Sequence, residues 1–238
     1  MTYIQNIFIH NKGLYGSPRI QIVLENDYGI KVSTKKIWRY MKIASISSFV
    51  RKKRKYRKPP EIKVRNVKYD NIVKRQWKKY NKAELFVTDV TYIPYGSNRY
   101  AYLSIMKDVK TNFIVGAVVS KKNDIRIYMD TIKQAECHFN KDKSTIIHSD
   151  NGFQYTSYFA QRYCEDNNII ISLNKPGTSL DNAACETFFS SLKTENLELR
   201  KARSFEEIKL IVDDYIEYYN YQRIVVKNKS TPWVAWCA

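Results

Sequence analysis

At 238 residues the chain has room for one sizeable domain and a small appendage, and its 44% hydrophobic content excludes an intrinsically disordered protein. No apolar run approaches the roughly 20 residues that span a bilayer, and the start MTYIQNIFIHNKG lacks a basic leader ahead of an apolar stretch. Cys137, Cys164, Cys185 and Cys237 are scattered and the three histidines add no ligand-like spacing, so reduced thiols are expected rather than a disulfide framework or a zinc site. The net charge of +18 is confined to one region: residues 1–82 carry 22 Lys/Arg against 4 Asp/Glu, whereas 83–238 carry 19 of each. A polyanion-binding segment joined to a charge-balanced one is the simplest reading.

In chain order, SPRIQIVLEND (17–27) has helical periodicity, with Ser17 as N-cap, Pro18 in the first turn and Ile20, Val23 and Leu24 on one face. Gly29 is a stop signal. Ser33 or Thr34 then caps a second helix, TKKIWRYMK, with Ile37, Tyr40 and Met41 inward and Lys35, Lys36, Arg39 and Lys42 outward. This pair is either a helix-turn-helix-like DNA-binding domain over 1–50 or an ordinary helical hairpin, and the charge excess favours DNA. RKKRKYRK (51–58), which contains Arg54, has seven basic residues in eight and opens a basic linker over 51–82. Such a run gains affinity for phosphate backbones by counterion release.

From residue 83 the periodicity changes. LFVTDVTYI (85–93), RYAYLSIMKDV (99–109) and NFIVGAVVS (112–120) predict three antiparallel strands in a meander, with turns at 94–98 and 110–112. A helix is expected over 123–140, a short buried strand at STIIHSD, a helix at TSYFAQRYCEDNN and a last strand at IIISL (169–173). Helices follow at 182–200 and 204–221. Strands first, then helix and strand in alternation, indicate an α/β fold with a mixed five-stranded sheet and flanking helices.

Three carboxylates stand where burial makes them costly. Asp89 interrupts an apolar strand, Asp150 ends one, and Glu186 opens the amphipathic segment NAACETFFSSLKTE, with 60 residues between the first two and 35 between the last two. An unpaired polar group at such a place costs on the order of 2–7 kcal/mol, so a set of three points to a divalent-cation site of hard oxygen ligands. On the helix, Ser190 and Lys193 fall within about 40° of Glu186, and Lys193 lies about 10 Å further along, where its charge can hold a DNA phosphate. Ala184, Cys185, Phe188 and Leu192 form the opposite, buried side, which makes Cys185 a small core residue rather than a nucleophile. His148 is either a group behind the carboxylates or a packed core histidine. Gly152 allows a sharp exit after Asp150, and Asn151 and Gln154 either touch DNA or cap the turn.

TDVTYI, HSDNGFQY and DNAACETFFSSLKTE, with a lysine seven residues past the glutamate, resemble the DD(35)E signature of integrase-type transposases. The similarity is greatest to the second-frame protein (OrfB) of the insertion-sequence-three family, related to retroviral integrases. It extends to YGSPRIQIVLENDYGIKVSTKKIWRYMK (15–42), similar to that family's N-terminal DNA-binding segment, and to YIEYYNYQRIVVKNKSTP (215–232), similar to its C-terminal signature. The resemblance implies a ribonuclease H-like catalytic core over 83–238 with a C-terminal helical tail. It implies Asp89, Asp150 and Glu186 as catalytic residues and as ligands of two Mg2+ or Mn2+ ions. Lys193, Lys35, Lys36, Arg39, Arg54 and Arg223 are then expected DNA contacts.

The implied reaction is metal-dependent cleavage at terminal inverted repeats to free a 3′-hydroxyl, followed by its attack on a second phosphodiester of the element or of target DNA. The implied setting is a homo-oligomer on double-stranded DNA in the bacterial cytoplasm and nucleoid, working with an upstream-frame protein (OrfA) or fused to it. In departure from the family pattern, Arg223 is followed by IVVKNKS, in which Lys227 and Lys229 are basic, and both ends look abbreviated. Two alternatives remain at this point: a catalytically inactive DNA-binding remnant or regulator, and a ribonuclease H-like nuclease that only hydrolyses.

Overall fold

A computed structural model describes residues 1–49, 69–140, 143–174 and 183–238. The basic run at 51–58, Arg54 included, lies outside these described residues. Two compact units are present, one formed by Met1–Tyr56 with Tyr218–Ala238 and the other by Arg57–Glu217.

The first unit begins with three helices: α1 (Thr2–His10), α2 (Ser17–Tyr28) and α3 (Thr34–Ile43). α1 had no counterpart in the sequence reading. Its Ile4 and Ile7 join Leu14, Tyr15, Ile20, Leu24, Ile37 and Met41 in one core. Gly16, not Ser17, is the N-cap of α2; Ser17 is already helical and makes no capping hydrogen bond. The helix ends at Gly29, whose φ of 66° is the left-handed conformation that favours glycine. Ser33 does cap α3, accepting from the Lys36 N–H at 3.3 Å. Tyr40, expected inward, is only half-buried.

Residues Tyr218–Ala238 belong to this unit, whereas the sequence reading set the tail within the core domain. Tyr15 is the anchor: its hydroxyl donates to the Gln222 carbonyl at 3.2 Å and accepts from the Ile224 N–H at 2.8 Å. The last helix, α8 (Pro232–Cys237), is capped by Thr231, which accepts from the Val234 N–H at 3.3 Å.

The second unit is built on β1 (Leu85–Tyr95), β2 (Arg99–Asp108), β3 (Ile114–Ser120), β4 (Thr145–Ser149) and β5 (Ile169–Leu173), in the order β3-β2-β1-β4-β5. β1–β2 and β2–β3 are antiparallel; β1–β4 and β4–β5 are parallel. This is the expected mixed sheet. Its flanking helices are α4 (Ile125–Ala135), α5 (Tyr158–Asp166), α6 (Ala183–Glu195) and α7 (Phe205–Tyr221), the last running on into the first unit. α4 is shorter than the sequence suggested, because Asp124 caps it by accepting from the Arg126 N–H at 3.0 Å and a 3-10 turn, Glu136–His138, follows it. α6 stops at Glu195, five residues before the expected end. Gly116 of β3 lets α4 approach: a Cβ there would stand 2.6 Å from the Thr131 carbonyl oxygen.

Candidate active site

The β1–β4 pairing decides where the first two acids stand. The last paired residues are Val87 and His148, and continuing that register by two residues sets Asp89 beside Asp150 on strands about 4.8 Å apart. Four fully buried residues, Leu85 to Thr88, lead up to Asp89. α6 packs against β1 and brings Glu186 to the same place, because Cys185, Phe188 and Leu192 are completely buried beneath it.

The three acids act on one another. Burial and the charges of Asp150 and Glu186 push the Asp89 carboxyl up to about 7, against the opposing pull of the Val90 N–H and Lys193. Burial also raises Asp150, opposed by the Gly152 N–H. Each aspartate holds one backbone amide: Asp89 Oδ1 accepts from Val90 and Asp150 Oδ1 from Gly152, both at 2.8 Å. Among the described residues, no three Asp, Glu, His or Cys side chains stand close enough to hold one metal ion as they lie. The donor set nevertheless suits a hard divalent cation in kind and in charge. Asp150 and Glu186 both keep contact with solvent.

Lys193 stands in the last turn of α6. Its Nζ donates to Thr91 Oγ1 at 2.7 Å and sits 5.1 Å from the centre of the Tyr92 ring. Lys35, Lys36 and Arg39 are exposed on α3, as expected. Arg223 is a correction: it is 6% exposed and lies over the Tyr219 ring at 5.2 Å, so its charge is used in packing the tail instead of being offered to solvent.

His148 is buried, with Nδ1 2.9 Å from Ser172 Oγ and the Trp77 ring edge-on at 5.5 Å, which is the packed alternative. Asn151 and Gln154 tie down the loop, through the Asn174 carbonyl at 2.5 Å and Asn123 Oδ1 at 2.7 Å. Cys185 is fully buried, and burial with the surrounding acids pushes its thiol well up, which suits a core residue and not a nucleophile.

Two residues here escaped the sequence reading. Lys107 is 2% exposed and its Nζ donates to the Ala184 carbonyl at 2.6 Å, fastening the start of α6 to β2. The signal was available: Leu103, Ile105 and Lys107 alternate on one face of β2, so the lysine belongs to an inward series. Tyr155 is the other, buried in the loop that follows Asp150.

Residues 79–179 match a family model described as an integrase core domain, 186–233 a second integrase core model, and 1–54 an HTH-like domain. InsK of insertion sequence element IS150, from Escherichia coli strain K12, is 30% identical over 227 residues, spanning 95% of this chain and 78% of that protein. The transposase for insertion sequence element IS904 of Lactococcus lactis is 29% identical over 222 residues, 93% of this chain and 86% of the other. Among solved structures, the HTLV-2 integrase catalytic core domain superposes with a TM-score of 0.52 at 15% identity, covering 65% of this chain and 96% of that one. A chain of the simian T-cell lymphotropic virus intasome gives 0.54 at 15% identity over 97% of this chain and 73% of its own. With a mixed sheet of the integrase kind and relatives along nearly its whole length, the chain belongs to the integrase-core transposases of insertion sequences, enzymes of DNA cleavage and strand transfer.

Proposed function

We propose that Asp89, Asp150 and Glu186 are the catalytic carboxylates of this transposase and together hold two divalent cations, Mg2+ or Mn2+. The observation that carries the reading is the convergence of negative charge on Asp89, a half-buried carboxyl lifted to about 7 by its surroundings and by two further acids, one just past β4 and one on α6. Such a concentration is unfavourable unless a cation neutralises it. The magnesium named with the HTLV-2 integrase core supports that choice of ion. When bound, a metal pair supplies Lewis-acid stabilisation of both the attacking and the leaving oxygen in an in-line phosphoryl displacement.

The chain's own residues do the rest. Asp89 comes from a rigid central strand, so it is the fixed reference of the site, while Asp150 and Glu186 adjust to it from a loop and a helix. Lys193, steadied by Thr91 and Tyr92, offers its ammonium to a DNA phosphate next to the acids. In the first unit Lys35, Lys36 and Arg39 on the exposed face of α3 bind the phosphates of the terminal inverted repeat. The retroviral intasome among the structural neighbours supports a homo-oligomer on DNA, and OrfA, free or fused, supplies further end recognition. The setting is the bacterial cytoplasm, on the element's own double-stranded DNA.

The test is a linear duplex ending in the inverted repeats that flank the gene, incubated with the protein and Mg2+. Cleavage exposing a 3′-hydroxyl and joined products are expected, and Asp150→Asn removes both while DNA binding survives. Binding without cleavage by the wild-type chain would mark an inactive remnant. Cleavage with no joining from a pre-cut end would mark a hydrolytic nuclease.

A further inference from the structure

The loop after β4 packs closely on Asp150. A Cβ at Gly152 would stand 2.9 Å from Asp150 Oδ1 and 3.1 Å from Tyr155 Cε2, so the glycine leaves room for the carboxylate and the phenol ring side by side. Tyr155 is 2% exposed. The Tyr128 ring of α4 holds it edge-on, with centroids 4.7 Å apart. Its N–H donates to the Gly152 carbonyl at 3.1 Å, closing the turn.

The ring is thus fixed, yet the Tyr155 hydroxyl has no hydrogen-bond partner among the described residues. Roughly nine in ten buried polar groups are paired. If packing were the only requirement, phenylalanine would fill the space without leaving a dry O–H. A phenol hydroxyl can donate, and the charges of Asp89 and Asp150 reach it. The same two acids have Oδ1 occupied by backbone amides, and their second oxygens can accept a further donor. An unpartnered hydroxyl on a ring packed next to Asp150 is matched to that capacity.

We propose that Tyr155 is a positioning residue of the carboxylate centre, its hydroxyl donating a hydrogen bond to the Asp89–Asp150 pair as these side chains close on a divalent cation. The hydroxyl then holds the acids in their ligating orientation, as groups behind metal ligands commonly do. This inference rests on the assignment of the catalytic acids made above.

The experiment compares wild type, Tyr155→Phe and Asp150→Asn in the full chain. Three quantities are read: Tm in EDTA, the midpoint of Ca2+-induced stabilisation, and nicking of supercoiled plasmid at limiting and saturating Mn2+. Tyr155→Phe is expected to keep or slightly raise the Tm in EDTA, because an unsatisfied hydroxyl is removed. It should raise the Ca2+ midpoint about tenfold and slow nicking at limiting Mn2+, with partial recovery at saturation. A Tm lowered by several degrees with an unchanged Ca2+ midpoint would show a purely structural hydroxyl and overturn the proposal. So would wild-type behaviour in all three readouts while Asp150→Asn is inactive. Nicking by Asp150→Asn at the wild-type rate would instead sink the assignment of the acids.

Discussion

Two aspartates on neighbouring strands show how differently one sheet can treat the same side chain. Asp108, at the end of β2, is completely buried, and both of its oxygens are used: Oδ1 accepts from the Ala83 N–H at 3.0 Å, and Oδ2 from the Thr111 N–H and hydroxyl, each at 2.7 Å. Asp89, in the middle of β1, holds, among the described residues, only the adjacent Val90 N–H and faces two further acids. Burial raises both carboxyls, but at Asp108 the surrounding N–H and O–H donors oppose it, whereas at Asp89 the nearby acids add to it. Asp108 is a clasp for the β2–β3 turn. Asp89 has been left short of partners, and that shortage is what a cation can fill.

Replacing each aspartate in turn separates the two roles most sharply. Asp89→Asn should lower DNA cleavage by a factor on the order of 10³ or more, about 4 kcal/mol of transition-state stabilisation, with circular dichroism unchanged. Asp108→Ala should do the opposite. Leaving three buried donors without an acceptor costs about 3 kcal/mol, read as a lower urea midpoint, and any folded fraction keeps cleaving.

pH sharpens the comparison further. The folded-state carboxyl of Asp89 titrates near 7, above its unfolded value of about 4. Between those values the folded protein binds the extra proton, so this contribution to stability is whole below about pH 4 and is lost as pH rises through 7. In EDTA, Asp89→Asn should therefore match wild type near pH 4 and exceed it at pH 8 by on the order of 1–2 kcal/mol, after allowance for solvent screening. A constant difference across that range would mean that the neighbouring acids do not act on Asp89.

Smaller effects are expected at the two lysines of α6 and β2. Lys193→Ala should weaken binding to duplex DNA about tenfold and reduce the magnitude of its salt dependence by about one unit of log–log slope. Lys107→Met should leave that slope unchanged and lower Tm, since its ammonium serves the Ala184 carbonyl and not solvent. A change of salt slope in Lys107→Met would erase the distinction between a structural and a DNA-facing cation.

Much of this was legible from the residues alone. Alternating Val, Ile and Tyr with well-placed turn residues specified five strands, and an acid inside an apolar run announced its own cost. Local signals of this kind need no knowledge of distant chain. They also misled where a competing local partner won: Asp124 took over the start of α4, Gly16 displaced Ser17 as a cap, and α6 ended at Glu195.

What the chain's order determined by itself was the composition of the proposed site: which acids, which lysine, and the spacing that places them on a strand, at the end of another and on a helix. Only tertiary packing decided their condition. Parallel pairing of β1 with β4 set Asp89 beside Asp150, α6 added a third negative charge, and the closed turn at Gly152 buried Tyr155 against them. Arg223 was likewise turned from a candidate phosphate ligand into a packing residue by Tyr219. Burial and through-space charge depend on segments far apart in sequence, and these, rather than residue identity, determine whether a carboxylate is satisfied or remains available to a cation.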